Sequence, residues 1–519
     1  MKKSVLCILL VFIISTAMLA NEIINLDSGP ISGMQKNGLK IYLGIPYAAP
    51  PIGKLRWQAP KAVKPWKKVK SCIAFSASCP QSKGENVGKT SEDCLYLNVW
   101  TPAKKANEKF AVMVWIHGGG WSCGSASSTG DGGSDIFGYN GAKLAKKGVV
   151  FVSFNYRLGP FGFFAHPQLA LESSRGTMGN YGFMDQIALL KWVKRNISKF
   201  GGDPNNVTIF GESAGSAAVS LHMISPYSQG LFHRGISESG GPCGLEYIMK
   251  QADYQMQNAI IDSQKLVKAL KCDQTKDPIK AMRAKSSTEI IKAYPFSLAP
   301  FSSGLKFGPV ADGDIIPDNP QKLYQMGKSF DLPLIIGSNA DEGNLFYQAM
   351  SVAKYKDWLK LNFGQHADEV FSMFPAAKDE DVRLAFDRLI SVAAFTEPAR
   401  FVARSRDGRK AKTYLYHFTR VIPTDFGRLV GAGHAMDIFY VFGIVDTKKG
   451  FPEADVELSN KMMDYWVNFA KTGDPNSPGL PLWLAYETKT DQNIEFGDTI
   501  KINKHLLKKE CDFIQRINF

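Results

Sequence analysis

Val207-Thr208-Ile209-Phe210-Gly211-Glu212-Ser213-Ala214-Gly215 is the stretch on which the fold turns. Four apolar or β-branched residues make a short buried strand, and the residues from Ser216 onward open a helix. Between them lies G-x-S-x-G, in the strand–turn–helix context that gives this short pattern its meaning. A turn this tight leaves no room for bulk beside the serine, so Gly211 and Gly215 flank it. Ser213 is expected in a strained conformation with its hydroxyl exposed. The helix N-terminus beneath it favours developing negative charge. Ser213 is therefore the candidate nucleophile.

Upstream, the strand Val112 to Ile116 runs into His117-Gly118-Gly119-Gly120-Trp121. A glycine run lets backbone N–H groups converge on one point with no side chains in the way. The amides of Gly119 and Gly120, joined by that of Ala214, are the expected oxyanion hole. One such donor is worth roughly 3 kcal/mol when lost. Downstream, the α/β fold that carries this turn places the acid and then the histidine after the nucleophile. His417 lies inside the strand pattern Tyr414-Leu415-Tyr416, and His366 and His505 lie in polar segments. His434 alone sits in a glycine-bracketed loop, Gly431-Ala432-Gly433-His434, so it is the candidate general base. Leu334-Ile335-Ile336-Gly337 leads into Asn339-Ala340-Asp341-Glu342-Gly343, which offers two acids, Asp341 and Glu342. Order along the chain does not separate them.

Strands alternating with helices fill the rest. Phe110 to Ile116, Val149 to Phe154, Leu334 to Ile336 and Thr413 to Phe418 read as strands, and Phe183 to Phe200 and Glu457 to Lys471 as helices. This is an α/β sheet with crossover helices. The stretches 245–300 and 351–408 read as helical excursions that build a gorge or lid. No repeat, low-complexity run or linker divides the chain, so residues 21–519 are expected to form one domain.

The chain has 519 residues, 45% hydrophobic and 21% charged, which excludes a disordered, collagen-like or many-spanning membrane protein. Residues 1–20 read as a secretory signal peptide, with Lys2 and Lys3, an apolar run from Val5 to Ile14 and small residues at Ala17 and Ala20. Export places the protein in a periplasmic or extracellular, oxidising compartment, where seven cysteines remain and an odd number cannot all pair. The net charge of +14 falls to +12 when Lys2 and Lys3 leave. It shows no Lys/Arg block and no nucleic-acid motif, and so reads as a solvated surface with weak attraction to anionic membranes or envelopes. No Cys/His cluster has metal-site spacing, so neither metal nor organic cofactor is expected. The sequons at Asn196 and Asn206 read as chance matches, in a helix end and at the entrance to the nucleophile strand.

Together these motifs resemble the type-B carboxylesterase family, which includes the cholinesterases and some lipases. The resemblance extends over almost the whole mature chain. It runs through Gly44-Ile45-Pro46-Tyr47-Ala48, Leu55-Arg56-Trp57, Ser91-Glu92-Asp93-Cys94-Leu95-Tyr96-Leu97-Asn98-Val99-Trp100 and Asn155-Tyr156-Arg157-Leu158-Gly159. It continues through Phe200-Gly201-Gly202-Asp203-Pro204, Glu238-Ser239-Gly240 and Asn468 to Asn476. The resemblance implies an α/β-hydrolase fold with a large, mostly parallel central sheet. It implies Glu342 as the acid, with Glu212 and Ser239 in support and a hydrogen bond from Ser239 to Glu342. It also implies an Arg56–Glu92 ion pair, a Cys79–Cys94 disulfide worth roughly 3 kcal/mol in the loop-entropy model, and an acyl pocket that includes Leu305 and Phe307.

Two departures bear on substrate. The Cys79–Cys94 loop lacks the tryptophan that holds the choline cation in cholinesterases, and the aromatic pair after the acid is reduced to Leu345-Phe346. A quaternary ammonium needs an aromatic cage, so choline esters are not the expected substrates. The expectation is a serine carboxylesterase. Two alternatives remain, a lipase for longer-chain esters and a non-catalytic binding protein of the same fold.

Overall fold

Alternate residues of the strand Phe110–Ile116 belong to different cores. Val112, Val114 and Ile116 pack on one side with Val152, Phe154, Val207 and Ile209. Ala111, Met113 and Trp115 pack on the other with Phe151, Phe210 and Trp466. A strand buried on both faces must lie inside a sheet covered by helices on both sides, which explains its unbroken apolar run.

The computed structural model describes residues 22–82, 88–126, 139–243, 254–294 and 304–518. Within them the main sheet has 11 strands. In chain order they are β1 (Met34–Lys36), β2 (Leu39–Pro46), β3 (Tyr96–Thr101), β4 (Phe110–Ile116), β5 (Val150–Phe154) and β6 (Gly202–Glu212). They continue with β7 (Arg234–Glu238), β8 (Leu334–Asn339), β9 (Thr413–Phe418), β10 (Gln492–Phe496) and β11 (Ile500–Lys504). The spatial order is β11-β10-β9-β8-β7-β6-β4-β5-β3-β2-β1. The strands from β5 through β4 and β6 to β10 run parallel, and the outer ones are antiparallel. The chain passes from β4 outward to β5 and later returns to the other side of β4 with β6. The crevice at the C-terminal ends of β4 and β6 is thus a topological switch point, where open α/β sheets bind ligands.

The α/β-hydrolase architecture is the one expected. β4 and β9 have the bounds read from the sequence, whereas β6 begins five residues earlier and β8 ends three residues later than their apolar cores. Those extensions are polar backbone that pairs without needing apolar side chains. The helical excursions are also present. Helices Met256–Ala269, Pro278–Ala284 and Ser287–Ala293 occupy the first. The second holds Val352–Phe363, Ala367–Met373 and Val382–Ile390 around a core of its own, and Glu397–Ser405, which packs into the main core.

Arg56 and Glu92 form the expected bidentate pair. Cys79 and Cys94 form the expected disulfide, with Cα atoms 5.1 Å apart. Cys72, Cys123, Cys272 and Cys511 are free thiols. Asn196 is fully buried and its side chain accepts from the Asp27 N–H, which leaves no room for a glycan there. The signal-peptide segment lies outside the described residues.

Candidate active site

Ser213 follows β6 and caps the helix Ala214–His222, with φ 58° and ψ −122°. That conformation is costly for a residue bearing a Cβ and persists only when the surroundings enforce it. Its N–H donates to the Glu238 carbonyl at 2.9 Å, which pins the turn to β7. Gly215 must be glycine because a Cβ there would lie 2.0 Å from the Ile116 carbonyl at the end of β4. The nucleophile turn and the glycine run after β4 are therefore in backbone contact. A Cβ on Gly118 would lie 3.0 Å from Ser213 Cβ. Gly119 (φ 99°) and Gly120 (φ 58°) follow directly from that contact along the chain, and Ala214, buried, follows Ser213.

His434 and Glu342 come from the loops after β9 and β8. His434 Nδ1 lies 2.6 Å from Glu342 Oε2, and both side chains are buried. The other carboxylate oxygen of Glu342 accepts from the Asn339 N–H at 2.6 Å. The acids that sequence order left unseparated have different tasks. Asp341 accepts from the Ala432 N–H at 2.7 Å and so holds the loop that carries His434, while Glu342 contacts the imidazole itself. Phe346 and Phe395 pack against the ring, with centroids 5.2 and 4.8 Å from it. Phe395 comes from a π-helical turn, Ser391–Thr396, of the kind often found at functional sites.

With Nδ1 engaged, His434 Nε2 remains for chemistry. It lies 3.1 Å from Oε1 of Glu212, the residue just before Ser213, which places it at the nucleophile turn. Burial pushes the Glu212 carboxyl up to about 8. Burial pulls His434 down, but Glu212 and Glu342 outweigh it and push the imidazole up to about 9. The two groups compete for one proton, and a neutral Glu212 withdraws the largest interaction that raises His434. Behind them, Asp437 accepts from Tyr416 and Asn339, and Glu238 accepts from Trp466. Burial and then the charge of Asp437 raise the Glu238 carboxyl, and burial and then the charge of Glu342 raise that of Asp437.

One expected contact is corrected. Ser239 is buried at φ 51°, but its Oγ has no hydrogen-bond partner among the described residues. The oxygens of Glu342 engage His434 and the nearby Asn339 amide instead. Phe307 is buried against Tyr294 and Phe164, and the Tyr294 hydroxyl pairs with Ser122 Oγ, two residues beyond Gly120. Leu305 is half-buried at the margin of the same core. His417 is buried within β9, whereas His366 and His505 are on the surface, paired with Glu369 and Asp491. The described residues contain no group of His, Cys, Asp and Glu arranged to hold a metal ion.

A nucleophile elbow, a glycine-lined crevice and an acid-bound histidine at one end of a parallel sheet define a hydrolase of the α/β-hydrolase class. The carboxylesterase family model matches residues 20–514, and the chain belongs to that family. It is 33% identical to the fumonisin B1 esterase of Sphingopyxis macrogoltabida, over 91% of this chain and 86% of that one. It is 31% identical to carboxylesterase 1D of Mus musculus, over 95% and 92% of the two chains. A solved structure titled PNB esterase superposes with a TM-score of 0.80 at 29% identity, covering 95% of this chain and all of its own. The protein is a carboxylic-ester hydrolase.

Proposed function

We propose that Ser213, His434 and Glu342 hydrolyse carboxylic esters through an acyl-enzyme. The supporting observation is the position of His434, whose Nδ1 meets Glu342 while Nε2 faces the turn that strains Ser213. Ser213 Oγ attacks the ester carbonyl carbon as its proton passes to His434 Nε2. The amides of Gly119, Gly120 and Ala214 take the charge that forms on the carbonyl oxygen. The C–O bond to the alcohol then breaks, and the alcohol leaves with the proton from His434. Water attacks the acyl-enzyme with His434 again as base, releasing the acid and restoring Ser213. Glu342 fixes the imidazole tautomer and stabilises its cation, Glu212 tunes its basicity, and Ser239 lies behind the elbow. This sequence of steps requires no metal or organic cofactor. Ser213→Ala tests it: hydrolysis is expected to fall by about 10⁴-fold or more, and an unchanged rate would leave a binding role instead.

The acyl group is assigned to the side of the crevice backed by Phe307 and Leu305, behind Tyr294. Residues 21–519 are taken as one catalytic unit. Export through residues 1–20 to the periplasm or the medium is supported by the Cys79–Cys94 disulfide, since such bonds persist in oxidising compartments.

One observation favours longer, aggregated esters as a second reading. Leu345 (50% exposed), Leu384 (63%), Phe426 (44%) and Leu429 (59%) stand on the surface. Their backbones are tied together, because Arg383 bonds Asn344 and the Leu429 carbonyl, and Asn344 bonds the Val430 carbonyl. Leu345 ends the short helix that begins at Glu342, and Leu429 precedes His434 by five residues. An apolar rim beside the catalytic loops suits contact with a micellar ester. Comparing rates on monomeric and micellar forms of one ester tests this, and a preference for the monomer counts against it.

A further inference from the structure

The Gly119 carbonyl accepts three hydrogen bonds from one short stretch of chain: the Ser122 N–H at 3.1 Å, the Cys123 N–H at 3.0 Å and the Cys123 thiol at 3.2 Å. A trans peptide is planar, and its C=O and N–H point in opposite directions. Holding the Gly119 oxygen therefore fixes the direction of the Gly120 N–H, one of the proposed oxyanion donors. The fit is close. A Cβ on Gly119 would come within 2.2 Å of the Cys123 carbonyl oxygen and 2.9 Å of its Sγ.

The loop that supplies these donors is held in turn. Gln81 is buried, and its side-chain amide grips both backbone groups of Gly124. Nε2 donates to the Gly124 carbonyl at 2.8 Å, and Oε1 accepts the Gly124 N–H at 2.9 Å. The same Nε2 donates to the carbonyl of Cys79, which is bonded to Cys94. A second tie joins Ser78 Oγ to Ser125 Oγ at 2.8 Å. A continuous path thus runs from the disulfide through Gln81 and Gly124 to Cys123 and the Gly119–Gly120 peptide.

We propose that Gln81 and Cys123 are positioning residues that set the oxyanion peptide, with the Cys79–Cys94 disulfide as their anchor. The residues differ in kind. Gln81 acts as a two-point clamp on the backbone and touches no substrate. Cys123 acts as a third donor to the Gly119 carbonyl. Burial pushes its thiol up to about 11, so it stays protonated and able to donate at neutral pH. The free thiol beside the crevice is thus put to use as a neutral hydrogen-bond donor. A donor aimed at charge that exists only in the transition state affects kcat and leaves substrate affinity largely alone.

This inference rests on the serine-esterase reading, and the test separates the two. Wild type, Q81A, Q81E, C123A and C123S are assayed on a soluble ester and with a trifluoromethyl ketone, which forms a tetrahedral adduct with the serine. Wild-type protein that neither hydrolyses the ester nor binds the ketone would defeat the esterase reading itself. Given an active wild type, Q81A and C123A should lose kcat by about tenfold or more, with KM within about twofold. Ketone affinity should fall in step with kcat/KM. C123S keeps a donor and should retain most of the activity. Q81E fills the same space and keeps the acceptor but gives up the neutral donor, so it should remain folded and still lose kcat. Wild-type kcat in Q81E and C123A, or a loss confined to KM, would overturn the proposal.

Discussion

At the scale of single residues, the site depends on where one proton rests. In the proposed mechanism His434 must be neutral to accept the proton of Ser213, yet Glu212 and Glu342 both favour its charged form. Its folded-state pKa is raised, so the imidazole is protonated and idle at low pH, and kcat/KM should climb as pH passes through the raised value. Glu212→Gln removes the largest of the raising interactions. The midpoint of that rise should move to lower pH, which a pH profile of kcat/KM measures; an unmoved midpoint would show that Glu212 does not govern the base. The family resemblance marks Glu212 as a supporting residue beside Ser213 but not the contact it makes. Its contact with His434 joins loops more than two hundred positions apart, and no local pattern encodes that. Nor does the sequence order separate Asp341 from Glu342. Both are acids in one tight turn; the family resemblance points to Glu342, and the direction of each side chain shows why, with one on the loop and the other on the imidazole.

The elements explain why the reactive residues meet. β4 and β6 are adjacent, parallel and buried on both faces, so the turns after them are pressed together. Gly211, Gly215 and the Gly118–Gly120 run follow from that crowding, which is why they could be read from sequence. Gly215→Ala would drive a Cβ into the Ile116 carbonyl and separate the elbow from the glycine run. It should lower kcat by about tenfold or more and reduce Tm by several degrees, as steady-state kinetics and thermal unfolding would report. Wild-type values for both would refute the contact. The π-helical turn that sets Phe395 against His434 had no counterpart in the sequence. Its residues, Ser391 to Thr396, read as ordinary helix, and the turn packs against β8 and the short helix at Glu342, contacts that no local pattern encodes. The expected Ser239–Glu342 bond failed for a related reason. A resemblance carries residue identity, while the Asn339 amide lies closer to the carboxylate oxygen it binds.

For the whole molecule, the apolar rim and the positive charge belong together. On the proposed reading, a net +14, or +12 after loss of Lys2 and Lys3, draws the protein weakly to anionic surfaces, where the rim offers apolar contact beside the catalytic loops. The ratio of micellar to monomeric rates should fall severalfold when Phe426 and Leu429 are both changed to Ser. Activity on esters in anionic vesicles should decline as salt rises. A ratio and a salt response that both stay flat would assign the rim and the charge to solvation alone. The proposed acyl pocket was legible only through the family resemblance. Phe307 is held by Tyr294 and Phe164 from distant segments, contacts that no local pattern encodes.

Ser213 is proposed to be a nucleophile activated by His434. That role is tested most directly by incubating the folded protein with an organophosphate and locating the adduct by mass spectrometry of its peptides. One adduct is expected, on Ser213, appearing in step with loss of ester hydrolysis and absent from Ser213→Ala and His434→Ala proteins. Hydrolytically active protein that carries no adduct on Ser213, or that loses activity through an adduct elsewhere, would contradict it.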